Sequence, residues 1–281
     1  MYQTLIDAAS LQALQGQVCL LDCSHQLTDL SWGRGQYAAG HLPGAQFASL
    51  EDDLSAAKTG RNGRHPLPER AHFAETVARW GITPQTQVVA YDSAGGMYAA
   101  RLWWMLRWLG HQAVAVLDGG VAAWQAAGGA LTTELPQVVP AAPYPMQPAD
   151  EPVRVEAVLT NLQHPTFVVL DARAPGRFAG EGETMDPVGG HIPGARNFFF
   201  QNNLQADGRF KPADVLRQQF EQVLAGVAPG ELVHQCGSGV TACHNLLAMS
   251  HAGLTGSRLY AGSWSEWCSD ASRPVATGTE A

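Results

Sequence analysis

The chain has 281 residues, 46% of them hydrophobic and 15% charged, which is enough for two cores at roughly 150 residues per domain and excludes disorder through excess charge. Its longest apolar stretches, such as residues 102–106, fall far short of the roughly 20 residues that cross a bilayer. A formal charge of −8 argues against a polyanionic partner, nucleic acid included, so an anionic substrate must meet a local positive pocket.

In chain order, residues 1–6 lack the basic, apolar and small-residue regions of a secretory signal, so a cytoplasmic address without membrane attachment is expected. The run Cys19–Leu21 predicts a first buried strand that ends at Asp22. Cys19 and Cys23 have no second Cys or His pair at zinc spacing nearby, and the five cysteines are odd in number and sparse. Neither a metal nor a disulfide framework is expected, and no cofactor motif stands out. A His41-Leu-Pro-Gly-Ala45 turn follows, then the basic loop Arg61-Asn-Gly-Arg64-His65, read either as a surface turn or as part of a cleft. A helix over 71–80, a strand over 88–90, the loop Asp92-Ser-Ala-Gly-Gly-Met97, a helix over 97–109 and the segment Gly119–Trp124 complete this half.

Six prolines between Pro136 and Pro152, Pro148 among them, break any helix or central strand and mark a linker over 134–152. Beyond it the pattern returns: a strand over 167–170, Asp171-Ala-Arg173-Ala-Pro-Gly-Arg177, His191-Ile-Pro-Gly-Ala195, a helix over 212–224, a strand over 232–233, a helix over 240–251, and Gly262–Trp267. The aspartates at 22 and 171 and the histidines at 41 and 191 repeat at almost the same offset, so the chain is a duplicated domain rather than a solenoid. Short apolar runs alternating with helical patterns predict two tandem α/β domains, 1–133 and 153–281, each a doubly wound, mainly parallel sheet flanked by helices. Ligands then belong at the carboxyl ends of the strands.

At that place the second half has Cys236-Gly-Ser-Gly-Val-Thr241 and the first half has Asp92. A cysteine between a strand and a helix start faces backbone N–H groups and the positive end of the helix, which favour its thiolate as a nucleophile. Gly237 and Gly239 let the amides curl inward; Ser238 and Thr241 add hydroxyls, and Val240 leads into the helix.

The Cys236–Thr241 loop, the paired His-Leu/Ile-Pro-Gly-Ala motifs, and Gly119–Trp124 with Gly262–Trp267 resemble the tandem-domain rhodanese-type sulfurtransferases, the thiosulfate and 3-mercaptopyruvate sulfurtransferases. That resemblance runs from about residue 5 to residue 274. It implies rhodanese-like domains, a catalytically silent first one and an active second one, with sulfane sulfur carried as a persulfide on Cys236 from an anionic donor to cyanide, a small thiol or a thioredoxin-like acceptor. Arg177 matches the family's donor-binding arginine. Nine residues later, where mercaptopyruvate enzymes commonly carry a second arginine, this chain has Asp186. The loop, with Gly237 and Ser238 in place of basic residues, points to 3-mercaptopyruvate, whereas Asp186 points to thiosulfate; the loop touches the transferred sulfur and weighs more. The resemblance also suggests a Ser-His-Asp relay, with Ser238, His41 and Asp29 as candidates. Two other readings stand: a non-catalytic persulfide carrier or docking module, and a cysteine phosphatase. The second needs an arginine at position 242, which is alanine.

Overall fold

The computed structural model describes residues 1–147 and 151–279; Pro148, Ala149 and Asp150 of the linker lie outside the described residues. The chain forms two compact units that are not contiguous in sequence. The first takes residues 1–56, 68–147 and 205–210; the second takes 57–67, 151–204 and 211–279. The basic loop around Arg64 therefore belongs with the second unit, which local sequence patterns did not anticipate.

The first unit runs β1 (Leu5–Ile6), α1 (Ala8–Ala13), β2 (Cys19–Asp22), α2 (Trp32–Ala39), β3 (Ala45–Phe47), α3 (Arg70–Arg79), β4 (Val88–Tyr91), α4 (Ala99–Trp108), β5 (Val114–Leu117) and α5 (Gly120–Ala126). Its sheet is parallel throughout, in the order β1-β5-β4-β2-β3. Central strands covered on both faces read as unbroken apolar runs, and all four residues of β4 and of β5 are buried. The core gathers Leu11, Leu20, Leu42, Val89, Tyr91 and Trp124.

The second unit runs α6 (Val155–Asn161), β6 (Val168–Asp171), α7 (Pro175–Ala179), β7 (Arg196–Asn197), α8 (Ala213–Leu224), β8 (Leu232–Gln235), α9 (Thr241–His251), β9 (Arg258–Leu259) and α10 (Ser263–Trp267). Its four parallel strands are ordered β7-β6-β8-β9. Val158, Val169, Ile192, Val233, Trp264 and Trp267 fill its core. The eight predicted strands and helices lie within three residues of the observed ones; the short elements β1, β3, β7, β9, α7 and α10 carry too few residues for a pattern.

The duplicated His-Pro-Gly motif is a packing device in both units. His41 is fully buried, stacks on Tyr37 at 3.9 Å and donates from Nδ1 to the Tyr37 carbonyl at 2.7 Å. His191 does the same with Phe178, at 3.7 Å and 2.8 Å. Their backbones make matching bridges to Thr132 and Ala276.

One histidine is buried at a cost. His234, in the middle of β8, is fully buried and neither ring nitrogen has a partner among the described residues. Burial pushes its pKa down from 6.5 to about 3. The unfolded chain takes up this proton at the higher pH and the folded chain only at the lower. The contribution to stability is therefore complete above pH 6.5 and is lost as pH falls toward 3. By pH 5 the loss should be about 2 kcal/mol. His234→Leu is expected to flatten the fall in melting temperature between pH 6.5 and 4, relative to the unmodified chain. Parallel curves for the two proteins would assign acid sensitivity to other groups.

Candidate active site

The two units make the same strand-to-helix junction and fill it differently. After β4 the carboxylate of Asp92 turns back into its own loop. Its Oδ1 accepts from the backbone N–H of Ala94 and Gly96, both at 2.8 Å, and its Oδ2 from Tyr98 and Ala99, both at 2.9 Å. A helix start collects unpaired N–H groups and positive potential, and here an internal anion satisfies them. The first unit's anion cradle is thus occupied by its own side chain.

After β8 the corresponding residue is Cys236, 2% exposed, and the chain passes through Gly239 into α9. Gly239 has φ +77°, and a Cβ there would stand 2.3 Å from the Ala261 carbonyl, so the turn demands glycine. The loop is held from behind by α10: Trp264 N–H donates to the Cys236 carbonyl at 3.0 Å and Ser265 N–H to the Gly237 carbonyl at 2.9 Å. Ser263 adopts φ +55°, rare for a residue with a side chain. The equivalent position in the first unit is Gly120, at the same φ. Two bonds offset the strain at Ser263, whose hydroxyl accepts from Cys236 N–H at 3.1 Å and donates to the Tyr260 carbonyl at 3.0 Å. Sequence reading passed over Ser263, although the glycine-to-serine exchange between the repeats was a visible signal.

Two guanidinium groups stand over the loop. The point where a side chain on Gly237 would begin lies 2.8 Å from Arg64 Nη2 and 3.6 Å from Arg177 Nη1. Arg177 is aligned by Glu183, which accepts from its Nε and its Nη2, each at 3.0 Å. Arg64 arrives on the 57–67 segment. There Gly63 (φ +85°) packs against Gly262, Arg64 N–H donates to Ser265 Oγ at 3.0 Å, and His65 Nδ1 and Ser238 Oγ are hydrogen-bonded at 2.8 Å. Asp186 joins the arginines: it accepts from Arg177 Nη2 at 3.1 Å and from Arg64 Nη1. Arg64 and Asp186 also line a cavity of about 580 Å³ together with Lys58, Met185, Val188 and Cys268.

Behind them Arg173, 3% exposed, chelates Asp171 through Nε and Nη2 and lies 4.7 Å above the Trp264 ring. Burial works against its charge, but Asp171, Glu183 and the nearby Cys236 sulfur together raise its pKa. The two carboxylates facing the arginines differ. Burial raises Glu183, yet backbone N–H from Met185 and the Arg177 fork bring it below the usual carboxylate range. Burial raises Asp186 too, and Arg64, the main opposing influence, does not bring it back. Among the described residues the donors to the Asp186 carboxylate are the two arginines, so its charge depends on them.

Of the residues singled out in the sequence, the structure brings Cys236, Gly237, Ser238, Gly239, Val240, Thr241 and Arg177 to one place and adds Arg64 and His65. The other two relay candidates have different local roles. His41 lies between the Tyr37 and Glu134 carbonyls, and Asp29 is an exposed turn residue whose carboxylate accepts from Ser31 N–H and Oγ. The histidine on Ser238 is His65. Arg61 is exposed, and its bonds run through its backbone: its N–H donates to Thr59 Oγ1 at 3.3 Å and its carbonyl accepts from Ser269 Oγ at 3.5 Å. All five cysteines are free thiols. Burial pushes the Cys19 thiol up to about 12, Cys268 to about 11, and Cys23 well above the ordinary value. These three are disfavoured as nucleophiles.

A thiol thus stands where the sister loop holds a carboxylate, in a duplicated α/β protein whose two strand-to-helix junctions differ in chemistry. Comparison with known proteins agrees. The Rhodanese-like domain model matches residues 7–127 and again 154–270, and the chain belongs to that family. It is 51% identical to a Pseudomonas aeruginosa protein named probable 3-mercaptopyruvate sulfurtransferase, over 92% of each chain. It is 38% identical to the thiosulfate sulfurtransferase of Cricetulus griseus, over 88% of this chain and 84% of that one. The solved 3-mercaptopyruvate sulfurtransferase of Leishmania major superposes with a TM-score of 0.85 at 31% identity, covering 94% of this chain and 74% of the other. Among the described residues no helix is long and apolar enough to cross a membrane.

Proposed function

We propose that the protein is a sulfurtransferase that moves sulfane sulfur from a small anionic donor to a thiophilic acceptor through a persulfide on Cys236. The observation that carries this reading is the pairing of a strand-end thiol with the Arg64 and Arg177 guanidinium groups over its loop. The Cys236 thiolate attacks the donor's outer sulfur and forms a sulfur–sulfur bond. The carbon–sulfur bond of 3-mercaptopyruvate breaks and releases the enolate of pyruvate, which then takes a proton; with thiosulfate the leaving group is sulfite. An acceptor nucleophile next attacks the terminal sulfur, becoming thiocyanate if it is cyanide or a new persulfide if it is a thiol, and the Cys236 thiolate returns. Arg177 and Arg64 hold the donor's carboxylate or sulfonate oxygens through charge-assisted hydrogen bonds. The Ser238–His65 pair is the proton source for the enolate, a step that thiosulfate does not need.

This pair and the relative at 51% identity support 3-mercaptopyruvate as the main donor, with thiosulfate second. A thiol or thioredoxin-like acceptor and a cytoplasmic address belong to the same proposal; five unpaired thiols suit a reducing compartment. The test is steady-state sulfur transfer to cyanide from the two donors side by side. The expected result is a kcat/KM for 3-mercaptopyruvate at least about ten-fold above that for thiosulfate, equivalent to about 1.4 kcal/mol. A preference for thiosulfate would reverse the donor assignment, and no transfer from either would refute the function.

A further inference from the structure

Position 186 looks, in the sequence, like an arginine lost from the donor site. In the folded protein its carboxylate is 3% exposed and bonds the backs of two arginines at once. Arg177 spends Nε and Nη2 on Glu183 and Asp186, and Arg64 spends Nη1 on Asp186. The other terminal nitrogen of each lies within 4 Å of the same point above Gly237. Among the described residues Arg64 Nε is buried with no acceptor.

We infer that Asp186 is a positioning residue that ties Arg64 and Arg177 into one two-fork site for the donor's anionic group above the Cys236 loop. This rests on the sulfur-transfer reading and deepens it. Two guanidinium groups brought this close repel each other, and Arg64, on a long side chain that is 25% exposed, is free to swing toward water when nothing holds it. One carboxylate between their backs cancels that repulsion and turns the unspent N–H groups toward the loop. An acid at 186 is therefore the complement of an arginine at 64, because the second fork comes from the 57–67 segment. Neutralising Asp186 loosens both forks and weakens anion binding, although a negative charge has been removed from the site.

The experiment measures pyruvate binding by calorimetry in the Cys236→Ser background, where no chemistry occurs. Asp186→Asn is expected to weaken pyruvate binding about ten-fold, and Arg64→Gln by a similar factor. Combining the two should cost clearly less than the product of the two single losses, since Asp186 acts in part through Arg64 and only its hold on Arg177 remains to be lost. Losses that multiply in the double variant, or tighter binding in Asp186→Asn, would overturn the proposal; the second result would make Asp186 a competitor for the site. Asp186→Ser gives the same readout if the amide variant does not fold. With Cys236 intact, Asp186→Asn should raise KM for both donors and leave the discharge of preformed persulfide to cyanide unchanged. Failure of the sulfur-transfer reading is separable, because it appears as absent turnover in the unmodified protein while pyruvate binding, which needs no thiol, still reports on the arginines.

Discussion

Cys236→Ser is expected to lower sulfur transfer by at least about a thousand-fold while leaving the fold intact. The side chain is nearly isosteric, and the bonds that shape the loop run through the backbone of residue 236: its N–H donates to Ser263 Oγ and its carbonyl accepts from Trp264 N–H. Neither depends on sulfur. A serine hydroxyl, however, does not ionise near neutral pH and cannot hold a sulfane sulfur. Incubating the unmodified protein with 3-mercaptopyruvate and no acceptor should add about 32 Da, removable by cyanide, and the mass should map to the peptide containing Cys236. Cys19, Cys23 and Cys268, whose thiols burial holds protonated, should carry none of it. Added mass on one of those three, or full activity in Cys236→Ser, would refute the assignment.

Asp92→Ala should produce the largest loss of stability. Four backbone N–H groups, three of them in buried bonds and that of Ala94 part-buried, end on this one carboxylate, and removing it leaves them facing each other around a space that carried their counter-charge. An unmet buried donor costs roughly 1–3 kcal/mol, and water entering the gap recovers part of that, so a net loss of about 3–5 kcal/mol is expected. The melting transition of the first unit should fall by roughly 10 °C. Asp92→Asn keeps one acceptor oxygen and should lose about half as much. A change below about 1 kcal/mol in Asp92→Ala would mean that solvent replaces the carboxylate without cost, and that the first unit's loop is an open anion site. The same four bonds give a reason why this half is expected to be silent: its cradle already holds an anion, whereas at Cys236 the matching residue is the thiol proposed to react.

Much of this was legible in the chain itself. The duplication, the parallel α/β class and the central strands and longer helices all follow from apolar runs and periodicities that depend on neighbours in sequence. The Cys236 loop was legible for the same reason, since a cysteine, two glycines and a helix start are contiguous. The histidines at 41 and 191 were recognisable as a pair, and their symmetric stacking on Tyr37 and Phe178 explains the repetition by packing. Tertiary structure decided what stands around the thiol. Whether Arg64 and His65 formed a surface turn or part of the site depended on the 57–67 segment joining the second unit through Gly63 against Gly262 and Arg64 N–H on Ser265, contacts about two hundred residues apart in sequence. Asp186 reads as a missing cation in one dimension and as the anchor of two cations in three. A carboxylate's role is set by which charges surround it after burial, and long-range contacts alone determine those.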